Sequence, residues 1–171
     1  MRALNAWRLM AVSLLFGSLV ACFPAMDWRE MPVSEAALKV QFPCKPVRRM
    51  VSDRGLLHCE AQEIGFSLSW LQFQDPAIMR QALQAAPQAL AERLGSQAKI
   101  RRLTGDIGAE VPAGALAWPE SGVWLIETAD GTSRLLVWAH GLTLYQAVVR
   151  GGANTAEVAQ RFFHGLSHTQ H

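Results

Sequence analysis

Charge of one sign, catalytic signatures and long apolar runs are all scarce in this sequence. Its 16 basic and 14 acidic residues leave a formal net charge of only +2. A nucleic-acid partner needs a basic footprint, and that footprint is missing. Arg2 and Arg8 supply the excess, so the chain from residue 22 onward is neutral. There is no G-x-S-x-G elbow, no H-E-x-x-H pair and no glycine-rich phosphate loop, so the usual carriers of serine hydrolysis, zinc proteolysis and nucleotide binding are lacking. Three cysteines are present, and Cys44 and Cys59 stand too far apart for a C-x-x-C redox motif. No internal repeat or low-complexity tract is visible. No apolar run reaches the ~20 residues that a membrane-crossing helix requires.

The longest such run is residues 9–21, "LMAVSLLFGSLVA". Residues 1–8 before it carry Arg2 and Arg8 and no acid. A basic start, a short apolar stretch and small residues at its end describe an export signal. Length and flanks both argue against a retained anchor helix or a buried one. The run closes on Leu19-Val20-Ala21-Cys22, which resembles the lipobox of bacterial lipoproteins. The resemblance implies a diacylglyceryl group on the Cys22 sulfur, cleavage between Ala21 and Cys22, and acylation of the new amine. A thiolate is the side-chain nucleophile suited to forming that thioether. Several acyl chains on one residue hold a protein on a membrane, whereas one gives marginal binding. Phe23 follows Cys22 where an Asp would favour inner-membrane retention. The resemblance therefore implies a lipid-anchored protein on the periplasmic face of the outer membrane.

Residues 22–37 read as a lipidated N-terminus and tether, and residues 38–171 as a single domain large enough for its own core. Trp28, in the tether, would either sit at the lipid interface or pack on the domain, and packing is the ordinary outcome. "LKVQFPC" alternates, with Leu38, Val40, Phe42 and Cys44 on one side, as a half-buried strand does. "VRRMV", "LLHCEAQ" and "FSLSWLQF" read as further strands, with turns near Asp53-Arg54-Gly55 and Glu63-Ile64-Gly65. A phase shift at Leu71 and Phe73 suggests a bulge. Over residues 76–95 the period becomes helical: Met79, Leu83, Ala86, Leu90 and Leu94 share a face, with Asp75 as N-cap and Gly95 at the end. Pro87 inside this stretch predicts a kink or a break. "AKIRRL" is a strand, and residues 105–122 are a long loop. Two apolar strands then flank Asp130-Gly131 as a hairpin, and a third follows His140-Gly141. A last helix begins at Asn154, with Val158, Ala159, Phe162, Phe163 and Leu166 as its buried stripe.

This order predicts an α+β domain, an antiparallel sheet covered on one face by two helices. The pattern resembles the PsbP-like fold shared by a family of small bacterial lipoproteins. Its marks are the strand ending in Phe42-Pro43, the following Lys45-Pro46 and the paired Phe162-Phe163 of the closing helix, and the resemblance spans residues 38–166. Members of that fold mostly bind proteins or stabilise assemblies and share no catalytic residues.

Candidate chemistry is sparse. Cys44 and Cys59 fall on the apolar side of their strands, and in an exported protein such a pair is usually bridged. His164, His168 and His171 give an H-x3-H-x2-H run, the first two at a helical metal spacing. A chain end with no acidic or thiol partner nearby argues against a metal there. "GGANT" at 151–155 meets a helix start, where an anion could bind, and reads more simply as a turn and cap. Asp106, Glu110 and Glu120 lie in the long loop. The groups Lys45/Arg48/Arg49/Arg54 and Lys99/Arg101/Arg102 read as solvated faces, with a phosphate or lipid-headgroup site as the special case. No catalytic residue, metal or cofactor is assigned. Loops carry function more often than sheet faces, so Trp118 in the long loop is the candidate partner contact. The leading expectation is a non-catalytic module bound to the membrane through Cys22, with a protein or envelope component as partner and no nucleic acid. The alternatives are a hydrolase using the 105–122 loop and a carrier of an apolar ligand. Converging His and carboxylates would mark the enzyme; an apolar cavity of ~300 Å³ or more would mark the carrier.

Overall fold

Alternation of apolar and polar residues builds most of this molecule. A computed structural model describes residues 26–95, 97–104, 111–151 and 155–169. The stretch expected to be an export signal, with Cys22, lies outside them. Among the described residues are ten strands and two helices, and every strand pairing is antiparallel.

A small sheet has the order β1-β2-β10, from β1 (Arg29–Val33), β2 (Leu38–Phe42) and β10 (Ser167–His168). The large sheet contains β3 (Val47–Val51), β4 (Arg54–Ala61), β5 (Ile64–Gln72), β6 (Lys99–Leu103), β7 (Gly122–Thr128), β8 (Gly131–His140) and β9 (Thr143–Arg150). Its order is β3-β4-β5-β9-β8-β7-β6, so β3 and β6 are its edges. Helix α1 (Pro76–Leu94) crosses from the first three strands to the last four, and α2 (Thr155–His164) follows β9.

The fold is α+β, but the two helices lie on opposite faces of the large sheet rather than on one. Along β8, Leu136 and Trp138 belong to one core with Phe162 and Phe163 of α2; Leu135, Val137 and Ala139 belong to another with Met79, Leu83 and Ala86 of α1. The cause is legible in the strand itself. All five residues from Leu135 to Ala139 are fully buried. A strand apolar on both sides needs a cover on both sides.

The small sheet shares the α2 face. Val33, Leu38, Val40 and Phe42 join Leu57, Phe66, Leu68, Tyr145 and Val149 in its core. Phe162 meets Phe42 and Phe66 edge-on, with centroids 5.1 and 5.5 Å apart. Such contacts add to the burial of the rings themselves. Tyr145 Oη donates to the Ala36 carbonyl at 2.9 Å, so the buried hydroxyl is satisfied across the two sheets.

Four sequence expectations change. Residues 29–36, expected in the tether, are β1 and a 3₁₀ turn, and Trp28 already packs on Phe66. Helix α1 is one element through the buried Pro87, so of the kink or break expected there the break does not occur. The β5 register is continuous from Gly65 to Gln72, with no bulge at Leu71. The β4–β5 turn is Gln62-Glu63, both at positive φ (53° and 62°), and Gly65 lies inside β5. The α1 cap is as expected: Asp75 accepts from the Ala77 and Ile78 amides at 2.7 and 3.3 Å. The α2 cap expected at Asn154 falls outside the described residues.

Candidate functional site

Cys44 and Cys59 form a disulfide, with sulfurs 2.01 Å and Cα atoms 6.0 Å apart. Cys44 lies just past β2 and Cys59 in β4, so the bond ties the small sheet to the large one. It is a staple and no redox centre.

Trp118 is half-buried and turned toward α1. Its indole joins the α1 core, and the Arg80 guanidinium stands 5.8 Å from the ring centroid. Next to it Glu120 accepts from Gln84 Nε2 at 2.7 Å and Arg80 Nη2 at 3.3 Å. The Gln84 amide and the local backbone, helped by Arg80, hold the Glu120 carboxyl below its usual range. Arg102 donates to the Pro119 and Ser121 carbonyls and covers Trp124. Leu116 donates its amide to the Ala139 carbonyl at 2.7 Å. Residues 111–121 are thus fastened to the domain, and their one described carboxylate is already engaged. Asp106 and Glu110 lie outside the described residues.

The histidines also sort differently from a helical metal pair. His164 ends α2, whereas His168 lies in β10. His168 stacks on His140 with centroids 4.0 Å apart, and its Nε2 accepts from Trp138 Nε1 at 3.2 Å. Burial, with His140 alongside, lowers the His168 pKa to about 4. Its Nδ1 is buried without a partner among the described residues. The pair is a packed contact closing β10 onto β8. His171 is not among the described residues.

The opening that no sequence motif announced lies on the α1 side of the large sheet. Helix α1 packs chiefly against β6, β7, β8 and β9. Among the described residues the same face of β3, β4 and β5 has no comparable cover. There a trough of about 420 Å³ runs between the sheet and the last turns of α1. The register lays out its floor in cross-strand rows. One row is Val51, Arg54, Leu71 and Leu144; the next is Arg49, Leu56, Ser69 and Gln146. Leu90 and Arg93 of α1 form the wall. Leu56, Leu71 and Leu90 are only half-buried.

Three guanidiniums therefore reach the trough from three elements: Arg49 on β3, Arg54 at the start of β4 and Arg93 in the last turn of α1. No acid lines it. Arg54 is 3.6 Å from the exposed Asp53 carboxylate, while Arg49 and Arg93 make no ion pair among the described residues. Arg48, the chain neighbour of Arg49, points to the other face and pairs with Glu35 at 2.8 Å. On the opposite side of the floor Trp70 lies flat over Gly55, where any Cβ would collide with the indole. Gly55 is therefore required by its neighbour. A second hollow, beside α2, is lined by both Glu157 and Arg161 and selects no sign of charge.

The sequence group Lys45/Arg48/Arg49/Arg54 was a partial signal for this trough. Period two sends Arg48 and Arg49 to opposite faces. Arg93 comes from a helix whose lateral position no strand pattern gives.

No family model matches the chain, and no curated protein matches it. Among solved structures, it is similar to a crystal structure from Bacteroides thetaiotaomicron VPI-5482, at 9% sequence identity and a TM-score of 0.42. That match covers 85% of this chain and 50% of the other, so the chain spans half the length of the protein it resembles.

Proposed function

We propose that this protein is a lipid-anchored, non-catalytic binding module facing the periplasm, and that its ligand sits in the arginine-rimmed trough. The trough is the observation that carries the reading. It is a formed, partly apolar concavity of the size that small-molecule sites have, roughly 300–1,000 Å³, with convergent polar groups. Two groups that could serve an enzyme are engaged in contacts within the domain: Glu120 with Arg80 and Gln84, His168 with Trp138 and His140. Leu19-Val20-Ala21-Cys22 supports the anchor, and Phe23 supports the outer membrane over the inner. Among the described residues no helix is long and apolar enough to cross a membrane. Phe42-Pro43, Lys45-Pro46 and Phe162-Phe163 support assigning the α+β domain to the PsbP-like fold. Trp118 is the weaker contact surface, because its indole is engaged in packing.

A photoreactive amino acid placed at Val51 in the trough, and at Ile78 on the far side of α1, tests the module in living cells. Both side chains are more than half exposed, at 63% and 54%. Light-dependent adducts at Val51 and none at Ile78 are expected. Equal or absent adducts at the two positions reject the trough as the binding face. In parallel, Cys22→Ser should abolish labelling by a fatty-acid probe and leave unprocessed precursor, and persistent labelling rejects the anchor.

A further inference from the structure

We infer that the trough ligand is a single-chain anionic amphiphile, a hydrocarbon tail carrying one carboxylate or phosphate head. This rests on the binding-module reading and specifies its ligand class.

Head and tail are each matched by a separate part of the lining. Arg49 and Arg54 come from the neighbouring strands β3 and β4 and Arg93 from the last turn of α1, and all three line the same concavity. Guanidiniums bind carboxylate and phosphate through paired, charge-assisted hydrogen bonds. Among the described residues no lining carboxylate competes for them, and of the three only Arg54 has an ion-pair partner, Asp53. Ser67, Ser69 and Gln146 add neutral donors on the floor that head-group oxygens would accept from.

The tail is matched by Leu56, Leu71, Leu90 and Leu144, which line the same concavity. Three of them, Leu56, Leu71 and Leu90, stay partly exposed. The arginine stems extend that apolar surface while their charged ends stay in water. A doubly charged polar metabolite would leave the leucines wet, and a neutral hydrocarbon would leave three guanidiniums without a counter-charge. A bilayer surface is flat and would not enter a trough walled by α1. An amphiphile with one chain and one anionic head satisfies both parts at once.

The test uses the full chain and a photoactivatable fatty acid bearing a diazirine on its tail, with adducts mapped by mass spectrometry. Adducts are expected on peptides from β4, β5 and the end of α1. An unlabelled long-chain fatty acid should compete. The alcohol of equal chain length should compete about tenfold less well, since it lacks the charge. Inorganic phosphate should not compete. Arg49→Ala with Arg93→Ala should weaken labelling about tenfold at unchanged melting temperature, and Arg80→Ala, outside the trough, should not. Adducts scattered over the surface, equal competition by the alcohol, or indifference to the paired arginine change each overturn the inference. A Val51 cross-link to a protein, without fatty-acid adducts in the trough, overturns the amphiphile and leaves the binding module standing.

Discussion

The two faces of the large sheet are covered in different ways. On the α2 side, a helix, a second sheet and a disulfide close over aromatic rings, and the core is continuous from Val33 to Leu166. On the α1 side, one helix covers four strands, and three are left with leucines and arginines facing outward. The first face holds the fold together, and the second is where the fold can do without packing. The difference puts the closed core and the open trough on opposite sides of one set of strands. Since alternate residues of the same strand serve the two faces, a single strand such as β5 contributes to both.

The sharpest way to break the comparison is to remove one ring from the closed face. Phe162→Ala should cost about 3–5 kcal/mol in a denaturant melt, as large-to-small changes in filled aromatic cores do. A loss near zero would mean that the α2 face is not the structural one.

Removing the staple comes next. Replacing Cys44 and Cys59 together by Ser should cost about 3 kcal/mol if chain entropy sets the effect, since the bond closes a loop of sequence separation 15. The two cysteines were readable as a pair because both fell on the apolar phase of their strands. What they join was not readable, since the sheet boundary between β2 and β3 has no sequence mark beyond Pro43 and Pro46.

Acid should loosen the closed face before the open one. The folded protein keeps His168 neutral down to about pH 4, whereas an unfolded chain protonates it near 6.5. Between those values the unfolded state binds more protons, so stability falls as pH drops through that window and this contribution is level above and below it. Melting temperatures across the window should fall less steeply in His168→Gln than in the parent. Parallel curves would remove His168 as the cause.

The β4–β5 turn permits a gain in place of a loss. Gln62 and Glu63 both adopt the left-handed conformation, which costs residues with a Cβ roughly 1–2 kcal/mol each. Gln62→Asn with Glu63→Gly should stabilise the protein by about 1 kcal/mol, because that dipeptide suits a two-residue hairpin. The sequence placed this turn around Gly65 instead, following the usual preference for glycine. The strands on either side alternate so strongly that their register, rather than the turn chemistry, fixed where the chain reverses.

Smallest of all should be a change on the open face. Val51→Ser should stay within about 0.5 kcal/mol of the parent, since the side chain is 63% exposed. A larger loss would show that β3 is held by packing and would weaken the contrast between the faces.

Much of the fold was legible as local periodicity: α1 from Met79 to Leu94, α2 from its phenylalanines, the hairpin at Asp130. Layering was not. The run from Leu135 to Ala139 is the longest stretch buried on both sides, and such a stretch distinguishes helices on two faces from helices on one. The trough was least legible, because it is defined by where α1 stops and by Arg93 arriving beside Arg49 and Arg54 from across the sheet. Helical period gives the face a helix presents, not how far it reaches over its neighbours.

The register of β10 has a consequence for how the molecule assembles. Lys39 of β2 lies opposite Ser167, and the Thr169 amide reaches back to the Ala37 carbonyl. One side of β2 is completed by β1, almost adjacent in the chain; the other side waits for residues near its far end. Until Ser167 and His168 arrive, that edge of β2 stays unmatched. Contacts between such distant segments form slowly, because a long loop must close first. The β2–β10 pairing is thus among the slow-forming contacts of this fold, and while it is pending β2 presents an open edge that another unfolded molecule could pair with.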